Sequence, residues 1–267
     1  MSVTTSQPLA DLQSSHDPRD IAINKVGIRR LRYPLTLLQR GAGPTVTAAL
    51  VNMYVSLDGS FKGTHMSRFV EVLNEFRDAL DINNLRTVLA RMKEHLEAAD
   101  AYLELEFPLF FARPAPVTGQ VGLQAYDCAI TASLDATDHL RTKSTVVVPV
   151  TTLCPCSKEI SDYGAHNQRS MVTLQWRSRR PIWLEEMIEL VESQASCPVF
   201  PLLKRPDEKW VTERAYENPK FVEDMVRDLT AKLREDERLT WYRVESENEE
   251  SIHAHNCFAL VEETPER

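Results

Sequence analysis

Period-two hydrophobic stretches, interrupted twice by pairs of helix-spaced segments, leave this chain few folds to choose from. Lys25 to Leu38 and Val46 to Leu57 read as strands, joined by a turn over Gln39 to Thr45 that holds Gly41, Gly43 and Pro44. Phe69, Val70, Leu73, Phe76 and Leu80 then recur at helical spacing between Ser67 and Leu80. Leu85, Val88, Leu89, Met92, Leu96 and Ala99 do the same. Tyr102 to Phe111 and Val121 to Leu134 return to the strand pattern. The order then repeats. Thr145 to Leu153 and Met171 to Trp176 read as strands, Trp183 to Val191 and Pro219 to Leu233 as helices, and Thr240 to Val244 and Ala254 to Val261 as closing strands. Pro219 is placed in the first turn of its helix, where a missing N–H costs nothing.

This order predicts an α+β protein of antiparallel sheets with helices on one face, in two tandem ββααββ-like modules. The modules span 21–140 and 141–267, and the second carries most of the candidate chemistry. Four-stranded sheets leave unpaired edges, which closure into an oligomeric barrel would satisfy. Residues 1–20 are polar, lack the apolar core of a secretory signal, and read as a disordered N-terminal arm.

Charge narrows the function classes. The formal net charge of −8 argues against a nucleic-acid backbone as partner. It leaves room for a local basic pocket that takes a small anion. No apolar run is long enough to span a membrane. The 5 cysteines are an odd number in a long chain, which suits reduced thiols in the cytoplasm better than a disulfide framework. Neither a dinucleotide-binding nor a phosphate-loop glycine pattern is present, nor a G-x-S-x-G or H-E-x-x-H motif.

Five clusters carry possible chemistry. The densest runs from Leu153 to Arg169 and holds Cys154, Cys156 and His166 in a polar loop behind a buried strand. Thiolate and imidazole are both ligands for Zn²⁺- or Fe²⁺-type ions, although the spacing is not that of a zinc finger. A packed cysteine with a surface histidine reads equally well. Glu249 to Asn256 holds His253 and His255, which share one face if a strand starts there; a solvated strand start is the plainer reading. Lys204 to Lys209 is a charged surface loop whose carboxylate suits a metal shell. Glu223 opens an amphipathic helix, where the helix dipole alone favours a carboxylate. Lys62 to Arg68, with His65, is either an ordinary cap or a phosphate-receiving helix start. Cys128, Cys197 and Cys257 read as packing residues.

The string Cys154-Pro155-Cys156-Ser157-Lys158-Glu159-Ile160-Ser161 with Tyr163-Gly164-Ala165-His166-Asn167-Gln168-Arg169 resembles the signature of the type IB GTP cyclohydrolases. Lys62 to Phe69, Lys204 to Lys209, Phe221 to Asp224 and Glu250 to Asn256 match the same family, in family order, from about Asp20 to the end. The resemblance implies the tunnelling fold, with two modules per chain, a homotetramer, and active sites at subunit interfaces. It implies conversion of GTP and water to 7,8-dihydroneopterin triphosphate and formate, the first step toward folate-type pterins. It implies a divalent metal (Zn, Mn or Fe(II)) on Cys154, His166, Glu208 and His253, with no organic cofactor. Cys156 and His255 match neighbouring active-site positions, and Glu223 matches the carboxylate that anchors the purine. Lys62, His65, Arg68, Arg169, Lys204 and Arg205 are the candidates to meet the triphosphate. Two alternatives stay open: a metal-free tunnelling-fold nitrile reductase with a nucleophilic cysteine, and a structural zinc-binding interaction protein.

Overall fold

Alternation in the sequence becomes long strands in the computed structural model, which describes residues 11–41, 43–76 and 84–265. The elements are β1 (Ile23–Leu37), β2 (Thr45–Leu57), α1 (Met66–Glu75), α2 (Leu85–His95), β3 (Ala101–Pro114), β4 (Val121–Leu134) and β5 (Leu140–Leu153). They continue with α3 (Pro155–Ile160), β6 (Asn167–Ser178), α4 (Leu184–Gln194), β7 (Cys197–Pro198), α5 (Arg205–Glu217), α6 (Val222–Glu235), β8 (Leu239–Glu249) and β9 (Cys257–Glu263). Hydrogen-bonded strand neighbours follow the order β1-β2-β3-β4-β5-β6-β8-β9, and β7 pairs with β5. The β5–β6, β5–β7, β6–β8 and β8–β9 pairings are antiparallel. The class is therefore α+β, as the pattern predicts.

The chain groups into two compact units. One comprises 1–36, 50–104 and 132–141, and the other 37–49, 105–131 and 142–267. This differs from a simple cut at residue 140. Strands of 13–15 residues outrun a single module, so β1, β2 and β3 each begin in one unit and end in the other.

In the second unit one sheet face is buried in register. Trp176 lies opposite Tyr242, Leu174 opposite Val146 and Val244, and Val172 opposite Val148 and Ser246. All of these side chains are buried. Against this sheet pack α4, through Leu184, Met187, Ile188 and Val191, and α6, through Val222, Met225, Val226, Leu229 and Leu233. Each such side chain contributes about 1.5–3 kcal/mol by leaving water. Further along the same face the rungs turn polar: Ser170 opposite Asn248, and Gln168 opposite Thr152. In the first unit α1 and α2 bury Phe69, Val72 and Leu73, and Leu85, Val88, Leu89 and Met92. Leu80, expected on α1, lies outside the described residues.

Four local expectations are corrected. Of the expected arm at 1–20, residues 11–20 are tied down. Asp17 N–H donates to Ser60 O, and the N–H groups of Lys62 and Gly63 donate to Ser15 O and Gln13 O. Residues 1–10 lie outside the described residues. The Lys204–Lys209 stretch is not a loop: it caps and opens α5, a helix whose apolar residues are too few to show a stripe. The chain 3′ of Cys154 forms the short α3, with Pro155 in its first turn. Finally, α6 starts at Val222 after the Phe221 cap, so Pro219 precedes it, and β9 starts at Cys257, so His253 and His255 sit in a bend before the strand.

Candidate active site

The polar end of the buried face opens into a cleft of about 360 Å³ in the second unit. Cys154, Gln168, Lys220, Phe221, Glu223, Asn248, Glu250, Cys257 and Phe258 line it. The chain reaches this cleft for local reasons. β5 ends at Leu153, and Cys154 caps α3, its sulfur accepting from Ser157 N–H at 3.5 Å. Lys220 N–H donates to Leu153 O at 3.0 Å, which anchors the entry to α6 at the end of β5. Phe221 N–H then donates to Asp224 Oδ2 at 2.9 Å, leaving Glu223 free of this capping duty in the first turn.

His166 belongs to the same neighbourhood. Its carbonyl accepts from Cys154 N–H at 3.1 Å, and its own N–H donates to Ser157 Oγ at 3.2 Å. Its Nδ1 lies 3.2 Å from Ser251 Oγ, which ties it to the bend that holds His253 and His255. Those two rings stack with centroids 5.1 Å apart and an interplanar angle of 11°. Stacking is thus achieved by a bend, not by the strand alternation that the sequence suggested.

The other predicted residues lie elsewhere. Glu208 is on the exposed first turn of α5, with its N–H on Lys204 O. Lys204 and Arg205 flank that helix start and do not line the cleft. Arg169 follows Gln168 on β6, so it points to the opposite face of the sheet. Cys156 is exposed on α3. Lys62, His65 and Arg68 belong to the first unit. There His65 Nε2 lies 3.2 Å from Asp11 Oδ2, and Arg68 donates to His95 O at 3.2 Å and lies 3.7 Å from Glu97. Among the described residues, no group of three or more His, Cys, Asp and Glu side chains is placed to hold one metal ion. Within one chain the donors therefore form a partial set: Cys154 beside His166, with the His253 bend tethered through Ser251.

The cleft also contains residues that sequence reasoning passed over. Cys257 is no simple packing residue, because it lines the cleft. Burial, and then the hydrogen bond and charge of Glu250, raise its thiol pKa, with Glu223 and Cys154 adding to the effect, so it stays protonated. By contrast, Cys128 and Cys197 are buried, and burial pushes their thiols up to about 12 and about 11. Lys220 brings a cation to the cleft, shared with Asp228 on α6. Gln168 and Asn248 form its buried polar floor. The signal for both was the period-two face of β6 and β8, which runs from aromatic to amide residues.

An antiparallel α+β scaffold with a thiol, carboxylates and two phenyl rings around one cleft defines a protein built to hold a small, flat, polar molecule. The fold is shared with uricase from Arthrobacter globiformis (TM-score 0.55, 10% identity, 91% of this chain and 93% of the other). It is shared also with urate oxidase from Bacillus subtilis (TM-score 0.53, 11% identity, 90% and 98%). The family described as type I GTP cyclohydrolase FolE2 matches residues 9–259. A GTP cyclohydrolase FolE2 of Nitrosococcus oceani is 52% identical over 256 residues, 96% of both chains. Another, from Magnetococcus marinus, is 51% identical over 255 residues, again 96% of both. The chain belongs to the type I GTP cyclohydrolase FolE2 family.

Proposed function

We propose that this chain is a type IB GTP cyclohydrolase, which converts GTP and water to 7,8-dihydroneopterin triphosphate and formate. The observation that carries the reading is the convergence of Cys154 and Glu223 on one cleft in a member of this family. Phe221 and Phe258 line the same cleft and offer flat apolar walls to a purine. Glu223 accepts from guanine N1–H and the 2-amino group, a donor pair that adenine does not present. His166, with Nδ1 engaged by Ser251 Oγ, keeps Nε2 to carry protons during ring opening. His255, stacked on His253, is the second candidate for that task.

The donor chemistry of Cys154, His166, Glu208 and His253 fits a divalent ion such as Zn²⁺, Mn²⁺ or Fe²⁺. When bound, such an ion lowers the pKa of a coordinated water from about 15.7 toward about 7. The partial set in one chain accords with a homotetramer whose sites are completed at subunit interfaces. Exposed Phe258 and Leu260 on β9, at the end of the strand order, supply an apolar edge for such association. Two tandem tunnelling-fold modules and a barrel of paired chains extend the same reading, as do a triphosphate met by Lys62, His65, Arg68, Arg169, Lys204 and Arg205, and a cytoplasmic location. No helix among the described residues is long and apolar enough to cross a membrane.

The test is turnover of GTP by the purified chain, stripped with chelator and reloaded in turn with each of the three ions. Formate release and fluorescent pterin are the readouts. Cys154→Ala is expected to reduce both to background while keeping the far-UV circular dichroism of the parent. Absence of turnover by the parent with every ion refutes the reading, and full activity of Cys154→Ala removes that thiol from it.

A further inference from the structure

We propose that Gln168 sets purine specificity, its side-chain carbonyl accepting a hydrogen bond from the exocyclic amino group of the bound ring; this rests on the reading of the chain as a GTP cyclohydrolase. Gln168 is 8% exposed and lines the cleft with Cys154 and Glu223. Its amide is oriented by a chain of hydrogen bonds across three strands. Ser170 Oγ donates to Asn248 Oδ1 at 2.6 Å, which uses the Ser170 proton. Ser170 Oγ, 2.8 Å from Thr152 Oγ1, then accepts the Thr152 proton. Thr152 Oγ1 in turn accepts from Gln168 Nε2 at 2.9 Å. Each hydroxyl has one proton to give, so the direction set at Asn248 runs through to Gln168 and turns its nitrogen toward the sheet.

What remains is Gln168 Oε1, a buried acceptor with no hydrogen-bond partner. Buried carbonyl oxygens are nearly always satisfied, and one left open in the wall of a cleft is matched to a donor that arrives with the ligand. The guanine edge presents N1–H and two amino hydrogens. The two oxygens of Glu223 take N1–H and one amino hydrogen, and the second amino hydrogen needs another acceptor. Gln168 Oε1 supplies it. Hypoxanthine, which lacks the amino group, leaves both Oε1 and one Glu223 oxygen unpaired.

The decisive experiment compares GTP with inosine triphosphate in the intact protein, by kcat/KM and by equilibrium dialysis of each nucleotide. Gln168→Met keeps the side-chain length and removes the acceptor. It is expected to lower the preference for GTP over inosine triphosphate roughly tenfold, mainly through GTP. Gln168→Glu restores an oxygen at that position and is expected to restore the preference. Should Gln168→Met be recovered unfolded, Thr152→Val, which removes the anchor of the amide, is expected to erode the same ratio. Equal losses on both nucleotides, or a preference within about twofold of the parent in every folded variant, overturn the proposal. A parent that binds GTP over inosine triphosphate but releases no formate refutes the cyclohydrolase reading alone, because the binding ratio still tests Gln168. A parent that binds neither nucleotide overturns both.

Discussion

Removing one hydroxyl from the buried cluster around Glu192 isolates the worth of a single charge-assisted hydrogen bond. Tyr126 OH donates to Glu192 Oε1 at 2.6 Å, while Arg113 pairs with Oε2 of the same carboxylate. Both Tyr126 and Glu192 are buried, and Phe111 stacks on Tyr126 with centroids 4.8 Å apart. Burial pushes the Glu192 carboxyl above its ordinary value of 4.5, against the pull of the Tyr126 hydroxyl and the Arg113 guanidinium. Tyr126→Phe keeps the stacked ring and deletes only the donor. A hydrogen bond to a charged group contributes about 1.5–3 kcal/mol, so about 2 kcal/mol is expected to be lost. For a chain of this length that lowers Tm by roughly 5 °C. The sign with pH follows from linkage. Without the hydroxyl the folded pKa of Glu192 rises further, so the loss is fully present at pH 7. It shrinks as the pH falls toward 4.5, where the carboxyl is increasingly protonated in folded and unfolded chains alike. The assay is calorimetric melting of parent and variant at both pH values. A Tm change under about 1 °C at pH 7, or a larger change at the acid pH, refutes the reasoning. Arg113→Ala leaves the carboxylate buried without its cation, and a larger loss of about 3–5 kcal/mol is expected.

Two further outcomes follow from single side chains. Glu223→Gln is expected to raise KM for GTP at least about tenfold with metal content unchanged by elemental analysis; loss of metal shows that the carboxylate acts on the ion instead. Asp207 is fully buried and accepts from Val117 N–H, Thr118 N–H, Thr118 Oγ1 and Lys204 N–H. Burial alone raises its pKa, but these donors outweigh burial and hold the carboxyl well below its ordinary 3.8. A depressed folded pKa stabilises the fold above 3.8 and loses that contribution as the pH falls below it. Asp207→Asn is expected to be less stable at neutral pH and to show a flatter acid limb in urea melts between pH 4 and 2; an unchanged acid limb removes Asp207 as its cause.

Most strands were legible because their pattern is strict. Val121 to Leu134 matches β4 at both ends, and Val46 to Leu57 differs from β2 by one residue. The helix facing β8 and β9 was legible from Val222, Met225, Leu229 and Leu233, all of which are buried. α5 was not, because only Trp210, Val211 and Ala215 interrupt its charges and polar residues. Pro206 followed by Asp207 and Glu208 was its available start signal, a proline and an acidic first turn. At the site, Cys154 and Glu223 were found through the resemblance, and the structure places them in one cleft. Gln168, Lys220 and Asn248 were missed. Residues 168 and 248 gain meaning only through the cross-strand register, and Lys220 only through the backbone bond that holds it against the end of β5.

The face shared by β5, β6 and β8 changes from Trp176 and Tyr242 to Gln168 and Thr152 without any break in strand pairing. Two residues along a strand amount to roughly 7 Å, so the oily interior and the ligand-facing floor are adjacent rungs of a single ladder. Evolution can therefore rewrite the last rungs, and with them the molecule that is welcomed, while the hydrocarbon rungs that keep the domain folded stay untouched.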